Sequence, residues 1–506
     1  MRDDHGRHIR ARLLAALTAM TLVAAACGSM VDGSTSAQDG SEASSAGSDG
    51  SGLGGSSGGD GTVADGSPAG GVDAEGSPPA GAGGAAGGQT GSGGTGGTGE
   101  AAPGEGTPLQ GVTDTEIRIG LTAPISGLFG EVIGEEVAGT LDAYFKDLNA
   151  RGGIGGRSVR LIAYDDALDL SQTLINVRRL WEQDKVAAVL VTFPDGVADY
   201  VTRNNIPTFV LGFSASAFSS AYPTIFPILQ SGASATYSFT YGLQEAGVPT
   251  DGMRVGMLYD TQIIDTRPYL DSARDAWGIV GAEVVAAEPF NFADGDCTAL
   301  VVKMRDLNID WWDFEGLGWS LCVSAAQRQQ YEPKVGWGNW PTNIGYLAQY
   351  AGPRVDGVWF MAPADENSGY PRERTAEHQR YFDVLKRYHP RLTEPVHLDS
   401  VVTQTYWIAG RVIEAAMNAI KDNPTQEGII AFLQGIKNFD TGIAPPIESW
   451  APDCKVGVNT IWIGQWRWVD GAPVREPKSR YLSNPFATER YGRCFVTALA
   501  DEVVKS

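Results

Sequence analysis

Residues 116–121 spell Glu-Ile-Arg-Ile-Gly-Leu, which alternates apolar residues with charged or small ones as a half-buried β-strand does. The apolar residues of 135–151 then recur at helical spacing, and Gly152-Gly153 ends that helix. The same alternation continues along the chain, with predicted strands at 158–164, 186–191 and 207–211 and predicted helices at 170–182 and 196–204. Such a βαβ series predicts a parallel sheet with helices on both faces.

A second series begins at Arg254-Val255-Gly256-Met257-Leu258-Tyr259. Its later segments are a helix from Tyr269, a strand at 282–287, a helix at 297–307, a strand from Asp310, and helices at 377–388, 401–420 and 426–436. Residues 460–468 alternate like an edge strand that ends at the turn signal Asp470-Gly471. Two consecutive series predict an α/β protein with two doubly wound, Rossmann-like lobes.

The first 27 residues predict an export signal. Four arginines precede the apolar run 13–26, which has the length of a signal-peptide core. The run ends in Val23-Ala24-Ala25-Ala26-Cys27-Gly28, which resembles a bacterial lipobox. That resemblance implies that Cys27 carries a diacylglycerol, and the alternative is an ordinary secretory signal. Both interpretations predict export.

Residues 28–107 predict a flexible tether. They contain no Lys, Arg or aromatic residue and are dominated by Gly, Ser, Ala and Asp. Such a composition buries too little apolar surface to offset chain entropy, so we expect disorder. A coil of this length spans roughly 50 Å root-mean-square.

Charge and cysteine content exclude some classes of protein. The formal net charge of −22 argues against nucleic-acid binding, and we find no mature apolar stretch long enough to span a bilayer. Four cysteines besides Cys27 in an exported chain predict two disulfides, with three possible connectivities. Proximity favours Cys297–Cys322 and Cys454–Cys494. A zinc site is disfavoured, because there is no Cys-x-x-Cys pair and the mature chain has only three histidines, His378, His389 and His397. We expect these histidines to lie at the surface, which also disfavours a catalytic triad.

The ordered pieces resemble the type I periplasmic binding proteins of the branched-chain amino-acid ABC transporter group over about residues 115–475. The motifs that carry the resemblance are 117–127, 149–157, Tyr164-Asp165-Asp166, Ile206-Pro207 followed by Gly212-Phe213-Ser214-Ala215-Ser216, and 222–226. The resemblance implies two lobes that close on a ligand like a Venus flytrap, joined by two or three hinge strands. Within 108–506, lobe 1 would combine 113–231 with 365–440, and lobe 2 would combine 232–364 with 441–506.

The resemblance also implies the function. We expect a monomeric, lipid-anchored, extracytoplasmic subunit of an ABC importer that binds a small polar solute, such as an amino acid or amide. Its partners would be a membrane permease with its ATPase, and it would need no cofactor or metal and perform no chemistry.

Candidate ligand-binding residues follow the predicted strand ends, where loops and helix N-termini offer free N–H groups. In lobe 1 they are Ser126, Phe129, Phe193, Asp195, Gly212, Phe213, Ser214 and Ser216. By the resemblance, Gly212 and Ser214 match a backbone group and a hydroxyl that hold the ligand's carboxylate and ammonium.

Lobe 2 departs from the family pattern. Asp265 falls near a pocket tyrosine, Asn339 near the carboxylate that pairs with the ligand ammonium, and Asp195 of lobe 1 near a family serine. A buried aspartate would repel a ligand carboxylate, so a standard branched-chain amino acid is disfavoured and an uncharged amide, a polyol or a cation is favoured.

Three tryptophans in predicted loops, Trp319, Trp337 and Trp340, are candidates for stacking on the ligand. The alternative for each is core packing, which we expect for Trp407 and for Trp311 or Trp312.

The sequence leaves two alternative functions. A ligand-sensing lipoprotein that signals to a separate receptor is the first alternative. An exported hydrolase is the second, but Gly212-Phe213-Ser214-Ala215-Ser216 lacks the final glycine of a nucleophile elbow.

Overall fold

The computed structural model describes residues 106–127, 130–261, 266–291, 295–363, 375–480, 482 and 485–505. The predicted signal segment, Cys27 and almost all of the predicted tether lie outside these residues.

The first sheet is wholly parallel, as the sequence predicted. Its strands stand in the order β2-β1-β3-β4-β5. They are β1 (Glu116–Ala123), β2 (Ser158–Asp165), β3 (Ala188–Val191), β4 (Thr208–Val210) and β5 (Ile225–Pro227). The helices between and beside them are Thr140–Ala150, Leu170–Glu182, Ala198–Arg203 and Ala215–Phe218. The predicted helix 135–151 differs at its start, because Gly130–Gly139 winds as a π-helix before the α-helix begins.

The second sheet is mixed. Its order is β15-β14-β10-β9-β8-β6-β7, and β6 to β10 run parallel. The strands are β6 (Arg254–Asp260), β7 (Glu283–Phe290), β8 (Trp311–Glu315), β9 (Gly336–Gly338), β10 (Trp359–Ala362), β14 (Trp462–Val469) and β15 (Ala472–Pro477). Helices Gly232–Glu245, Leu270–Ile279, Thr298–Asp306, Trp319–Arg328 and Gly345–Ala351 accompany it.

The edge-strand prediction for 460–468 was wrong. β14 pairs antiparallel with both β10 and β15, so it lies inside the sheet. The turn prediction is confirmed, since Asp470 and Gly471 have φ of 50° and 84° and join β14 to β15 in a two-residue hairpin. That short turn folds β15 back onto β14 and thereby covers the expected edge.

A small antiparallel sheet joins the two large ones. It consists of β11 (Lys437–Phe439), β12 (Ile447–Ala451) and β13 (Cys454–Val458). The end of β13 runs beside the chain that leaves β5, where the Val458 N–H donates to the Ile228 carbonyl at 2.7 Å. The chain therefore crosses between the large sheets at 228–232 and again at 458–462.

The remaining helices are Ala376–Tyr388, Pro395–Leu398, Val401–Ala419, Gln426–Gln434, Pro485–Tyr491 and Phe495–Lys505. Several helices begin where the sequence places a capping side chain. Asp169, Ser231, Ser400 and Thr425 each accept a backbone N–H from the first turn that follows. Such caps satisfy donors that a helix otherwise leaves unpaired.

Both expected disulfides are present, Cys297–Cys322 and Cys454–Cys494. The second one precedes the last helix, Phe495–Lys505, whose Val496 and Ala500 pack in a core cluster with Phe218. Asp501 on the same helix accepts from the hydroxyls of Ser219 and Ser220. This helix therefore packs beside the first sheet, which differs from the sequence assignment of 441–506 to lobe 2.

Candidate functional site

An apolar cavity lies at the carboxyl ends of the parallel strands of both large sheets, with about 60 Å³ of free space for water-sized molecules. Ligands of open α/β sheets bind at this edge. From the first sheet and its helices, the wall takes Ile133, Leu168, Thr192, Phe193, Leu211, Phe213, Leu229 and Gln230. From the rest of the chain it takes Leu317, Trp340, Asn343, Ile344, Leu347, Met361, Pro363, Val401, Val402, Val458 and Ile461. The wall is therefore built by both sheets and by the chain that crosses between them.

The loop after β4 holds an unusual backbone conformation. Gly212 has φ of 131°, and a Cβ there would lie 2.8 Å from the Leu229 carbonyl oxygen. Phe213 has φ of 67°, in the left-handed region that an aromatic residue rarely adopts. The Tyr269 hydroxyl donates to the Phe213 carbonyl, and the Phe213 N–H donates to the Gln230 carbonyl at 3.1 Å. These hydrogen bonds stabilise the strained backbone of Phe213. Backbone strain of this kind is common at binding sites.

Phe213 and Trp340 form an aromatic contact across the cavity. Their ring centroids are 4.2 Å apart with 19° between the planes, and the residues are 8% and 6% exposed. Phe213 follows β4 of the first sheet, whereas Trp340 follows β9 of the second. The stacked rings therefore link the two halves of the wall.

The side chain of Asp195, in the loop after β3, is held by two serines. It accepts hydrogen bonds from the hydroxyls of Ser214 at 2.8 Å and Ser216 at 3.0 Å. These three residues, predicted to bind ligand, thus pair with one another and fix the loops after β3 and β4.

Two buried carboxylates on β8 lie behind Trp340. Glu315 accepts from the indole N–H of Trp340 at 2.7 Å and from the hydroxyl of Thr236 at 2.7 Å. Asp313 accepts from the indole N–H of Trp277 at 2.6 Å. The Asn339 amide donates to both acids, at 2.8 Å to Glu315. All these donors are uncharged.

Both acids are buried and have no cationic donor in the described part of the chain, so their pKa values are raised. Desolvation raises the pKa of Asp313 to about 7. Desolvation, with the charge of Asp313 as a smaller cause, raises the pKa of Glu315 well above its usual value. The network therefore orients Trp340 and favours the protonated form of at least one acid near neutral pH.

A family model described as "Periplasmic binding protein" matches residues 116–472. The chain belongs to the periplasmic binding protein family. That membership implies an extracytoplasmic location.

One curated relative matches a short stretch of this periplasmic binding protein. A "Leu/Ile/Val-binding protein homolog 7" of Brucella suis biovar 1 (strain 1330) is 32% identical over 101 residues, which is 19% of this chain and 25% of that relative. This match thus spans only a quarter of the relative's length.

Two solved structures share the architecture of this periplasmic binding protein. One is a fatty acid ABC transporter substrate-binding protein from Thermomonospora curvata, with a TM-score of 0.64, 17% identity, and coverage of 78% of this chain and 99% of that one. The other is a branched chain amino acid ABC transporter protein from Thermus thermophilus with bound valine, with a TM-score of 0.63, 15% identity, and coverage of 75% and 100%. At these identities the likeness shows the fold.

Only some of the predicted ligand residues of this periplasmic binding protein line the cavity. Phe193, Phe213 and Trp340 line the cavity. Ser126 donates to Asp165 at the exposed exit of β2 and does not belong to the lining. Phe129 and Asp265 lie outside the described residues.

The other two predicted tryptophans are not in the lining either. Trp319 is fully buried at the start of the helix Trp319–Arg328, and Trp337 is buried within β9. Asn339 is fully buried and turned to the two acids of β8. Asp195 and Asn339, on which the preference for an amide, a polyol or a cation partly rested, therefore bond to protein groups, and the described wall of the cavity is mainly apolar.

Sequence analysis missed Gln230, Asn343 and Met361, which line the cavity. Gln230 lies three residues after the end of β5, and no ligand role was predicted for it. Asn343 ends a short 3-10 turn that begins at Trp340. The available signal was position, because Gln230 lies just beyond a strand and Asn343 closes a turn at the carboxyl edge.

The histidine prediction was wrong for two residues. His378 and His397 are each 4% exposed, and a ring nitrogen of His397 bonds to buried Glu136 at 2.7 Å. His389 is partly buried against Asp142, at 2.8 Å. Helix packing encloses these rings, which sequence periodicity did not reveal.

Within the described parts of the chain, no group of three or more His, Cys, Asp or Glu residues is arranged to hold a metal ion. No helix in those parts is long and apolar enough to cross a bilayer.

Proposed function

We propose that this protein is the extracytoplasmic solute-binding subunit of an ABC importer. The observation that carries the proposal is the apolar cavity whose wall both sheets share, with Phe213 and Trp340 stacked across it. Family membership supports the same role.

The mechanism is a shift between open and closed forms. A ligand that touches both halves of the wall stabilises the closed form, because only that form offers all the contacts at once. The crossings at 228–232 and 458–462 serve as the hinge, and the permease with its ATPase recognises the closed form. The protein releases its ligand chemically unchanged.

Lobe boundaries follow the sequence assignment with two changes. Lobe 1 comprises about 113–231, 365–458 and the last helix, and lobe 2 comprises about 232–364 and the rest of 459–506. The packing of Trp450 on Phe209 and Phe226 supports placing 441–458 in lobe 1. The packing of Val496 and Ala500 against Phe218 supports moving the last helix to lobe 1.

Cys27 carries a lipid anchor and residues 28–107 form a tether, so that a monomeric binding domain reaches solute at a distance from the membrane. Labelling with a radioactive fatty acid, with Cys27→Ala as the control, tests the anchor. An unlabelled wild-type protein would show that residues 1–27 are an ordinary secretory signal.

The decisive experiment is native mass spectrometry of the protein exported by an oxidising host. We expect one small molecule per chain. The mass of the molecule released on denaturation should equal the mass difference between the complex and the bare protein. Small-angle scattering should show that the stripped protein becomes more compact when the molecule is returned. A folded protein that carries no ligand and does not compact with any solute tested would refute the proposal.

A further inference from the structure

Two polar atoms on the wall of the apolar cavity lack hydrogen-bond partners among the described residues. They are Oε1 of Gln230 and Nδ2 of Asn343, on side chains that are 3% and 1% exposed. A buried polar atom without a partner is unfavourable and is seldom left so in a native structure. Because both side chains line the cavity, we expect a bound ligand to supply the missing hydrogen-bond partners.

The orientation of the Asn343 amide is determined by a neighbour. Its Oδ1 accepts from Nε and Nη2 of Arg475, each at 3.3 Å, and Arg475 also donates to the Asn343 carbonyl at 2.9 Å. A guanidinium can only donate, so the amide oxygen must point to Arg475. The Asn343 NH₂ group is therefore the one that remains available as a donor.

Gln230 supplies a hydrogen-bond acceptor, whereas Asn343 supplies a donor. Its Nε2 lies 3.7 Å from the sulfur of Met361, and its Oε1 is left as a free acceptor. Gln230 leaves the first sheet after β5, whereas Asn343 belongs to the turn after β9. One donor and one acceptor thus come from opposite halves of the wall.

Charge is absent from the described part of the wall. None of its residues is Asp, Glu, Lys, Arg or His, and the nearby acids Asp195 and Glu315 already accept from protein donors. A buried ligand ion would lack a counter-charge there, which is strongly unfavourable.

We infer that the ligand is an uncharged, mainly apolar molecule with a single polar group that both accepts and donates, such as an amide or a hydroxyl. That group accepts from Asn343 Nδ2 and donates to Gln230 Oε1, while the apolar body contacts the rest of the wall. This inference rests on the proposed function and specifies its ligand class.

The test is titration calorimetry of the stripped protein with two matched series and with leucine. One series is benzamide, benzyl alcohol, benzoate and benzylamine, and the other is valeramide, 1-pentanol, valerate and pentylamine. We expect neutral members to bind at least 10-fold more tightly than charged members of the same series. Tighter binding of a carboxylate, an ammonium or leucine would overturn the inference while leaving solute binding intact. Binding of no probe would overturn it and count against the proposed function as well.

A variant tests the assigned donor directly. Asn343→Asp keeps an acceptor for Arg475 and replaces the unpartnered Nδ2 donor with an acceptor. We expect at least a 10-fold loss of amide affinity and a gain for the ammonium probe. Gln404→Met is the matched control, because Gln404 also has a buried, unpartnered Oε1 but does not line the cavity. Equal effects of the two variants would refute the role of Asn343.

Discussion

The stack of Phe213 on Trp340 makes a quantitative prediction about ligand affinity. The rings are 4.2 Å apart and come from opposite halves of the wall, so separating the halves must break the contact. An aromatic pair contributes about 0.5–1.5 kcal/mol beyond its buried area. A contact made only in the closed form therefore strengthens ligand binding about 2- to 12-fold.

The measurement is a double-mutant cycle with Trp340→Leu, Phe213→Leu and the double variant. Both side chains also line the cavity, so each single variant loses ligand contacts, and the cycle isolates the pair. We expect a coupling energy of about 0.5–1.5 kcal/mol in calorimetric affinity for the solute identified by mass spectrometry. The control is Trp407→Phe. Trp407 packs edge-to-face on Tyr144, with ring centroids 4.8 Å apart, and neither residue lines the cavity. This substitution should lower stability without changing affinity.

Additive effects at Phe213 and Trp340, within about 0.3 kcal/mol, would refute the reasoning. They would mean that the two rings do not pair in the ligand-bound form, and that the hinge closes without this contact.

The remaining predictions concern stability, measured by urea unfolding. Because the pKa of Asp313, about 7, and that of Glu315 are raised in the folded chain, the unfolded chain loses these protons first. The free energy of unfolding should therefore fall as pH rises from about 4 through about 7, by up to ~1.4 kcal/mol per pH unit per proton. Asp313→Asn with Glu315→Gln should flatten that slope, and an unchanged slope would exclude these acids as its cause. Replacing Cys297 and Cys322, 25 residues apart, with Ser should cost about 3–4 kcal/mol on the chain-entropy estimate. No loss in the oxidised protein would contradict that bridge. Gly457→Ala should destabilise the hinge by about 1–3 kcal/mol, because its Cβ would collide with the Leu229 carbonyl. Gly278→Ala, at an exposed helix position with open space around the added Cβ, is its control and should stabilise by about 0.5–1 kcal/mol.

Sequence periodicity was sufficient for the elements whose environment is local. β1 has the alternation of a strand, and the helix Leu170–Glu182 has both a cap at Asp169 and an apolar stripe. Periodicity was not sufficient where the position of a strand in its sheet depends on which other strand pairs with it. Residues 462–469 alternate as an edge strand would, but a two-residue turn brings β15 beside them. Nothing in the spacing of 130–139 distinguishes a π-helix from an α-helix.

The candidate site was only partly predictable for a related reason. The rule that ligands bind at strand ends led to Phe193, Phe213 and Trp340, because it depends on topology alone. It could not tell which way a side chain turns after the strand. Asn339 and Trp340 are adjacent in sequence, yet one turns to the buried acids and the other to the cavity.

Residue type in the sequence does not show which polar atoms are left for a ligand. Asp195 and Asn339 suggested a polar binding site, but their polar atoms are used by the protein: Asp195 aligns two loops, and Asn339 joins two acids. Glu315, one of those acids, accepts the indole N–H of Trp340, so the charged groups lie behind the aromatic wall and orient it. A site can thus be rich in acids along the chain and still present an apolar surface to its ligand. On the described part of the cavity wall, the polar atoms without a protein partner are Gln230 Oε1 and Asn343 Nδ2, and the proposed ligand would bond to these two.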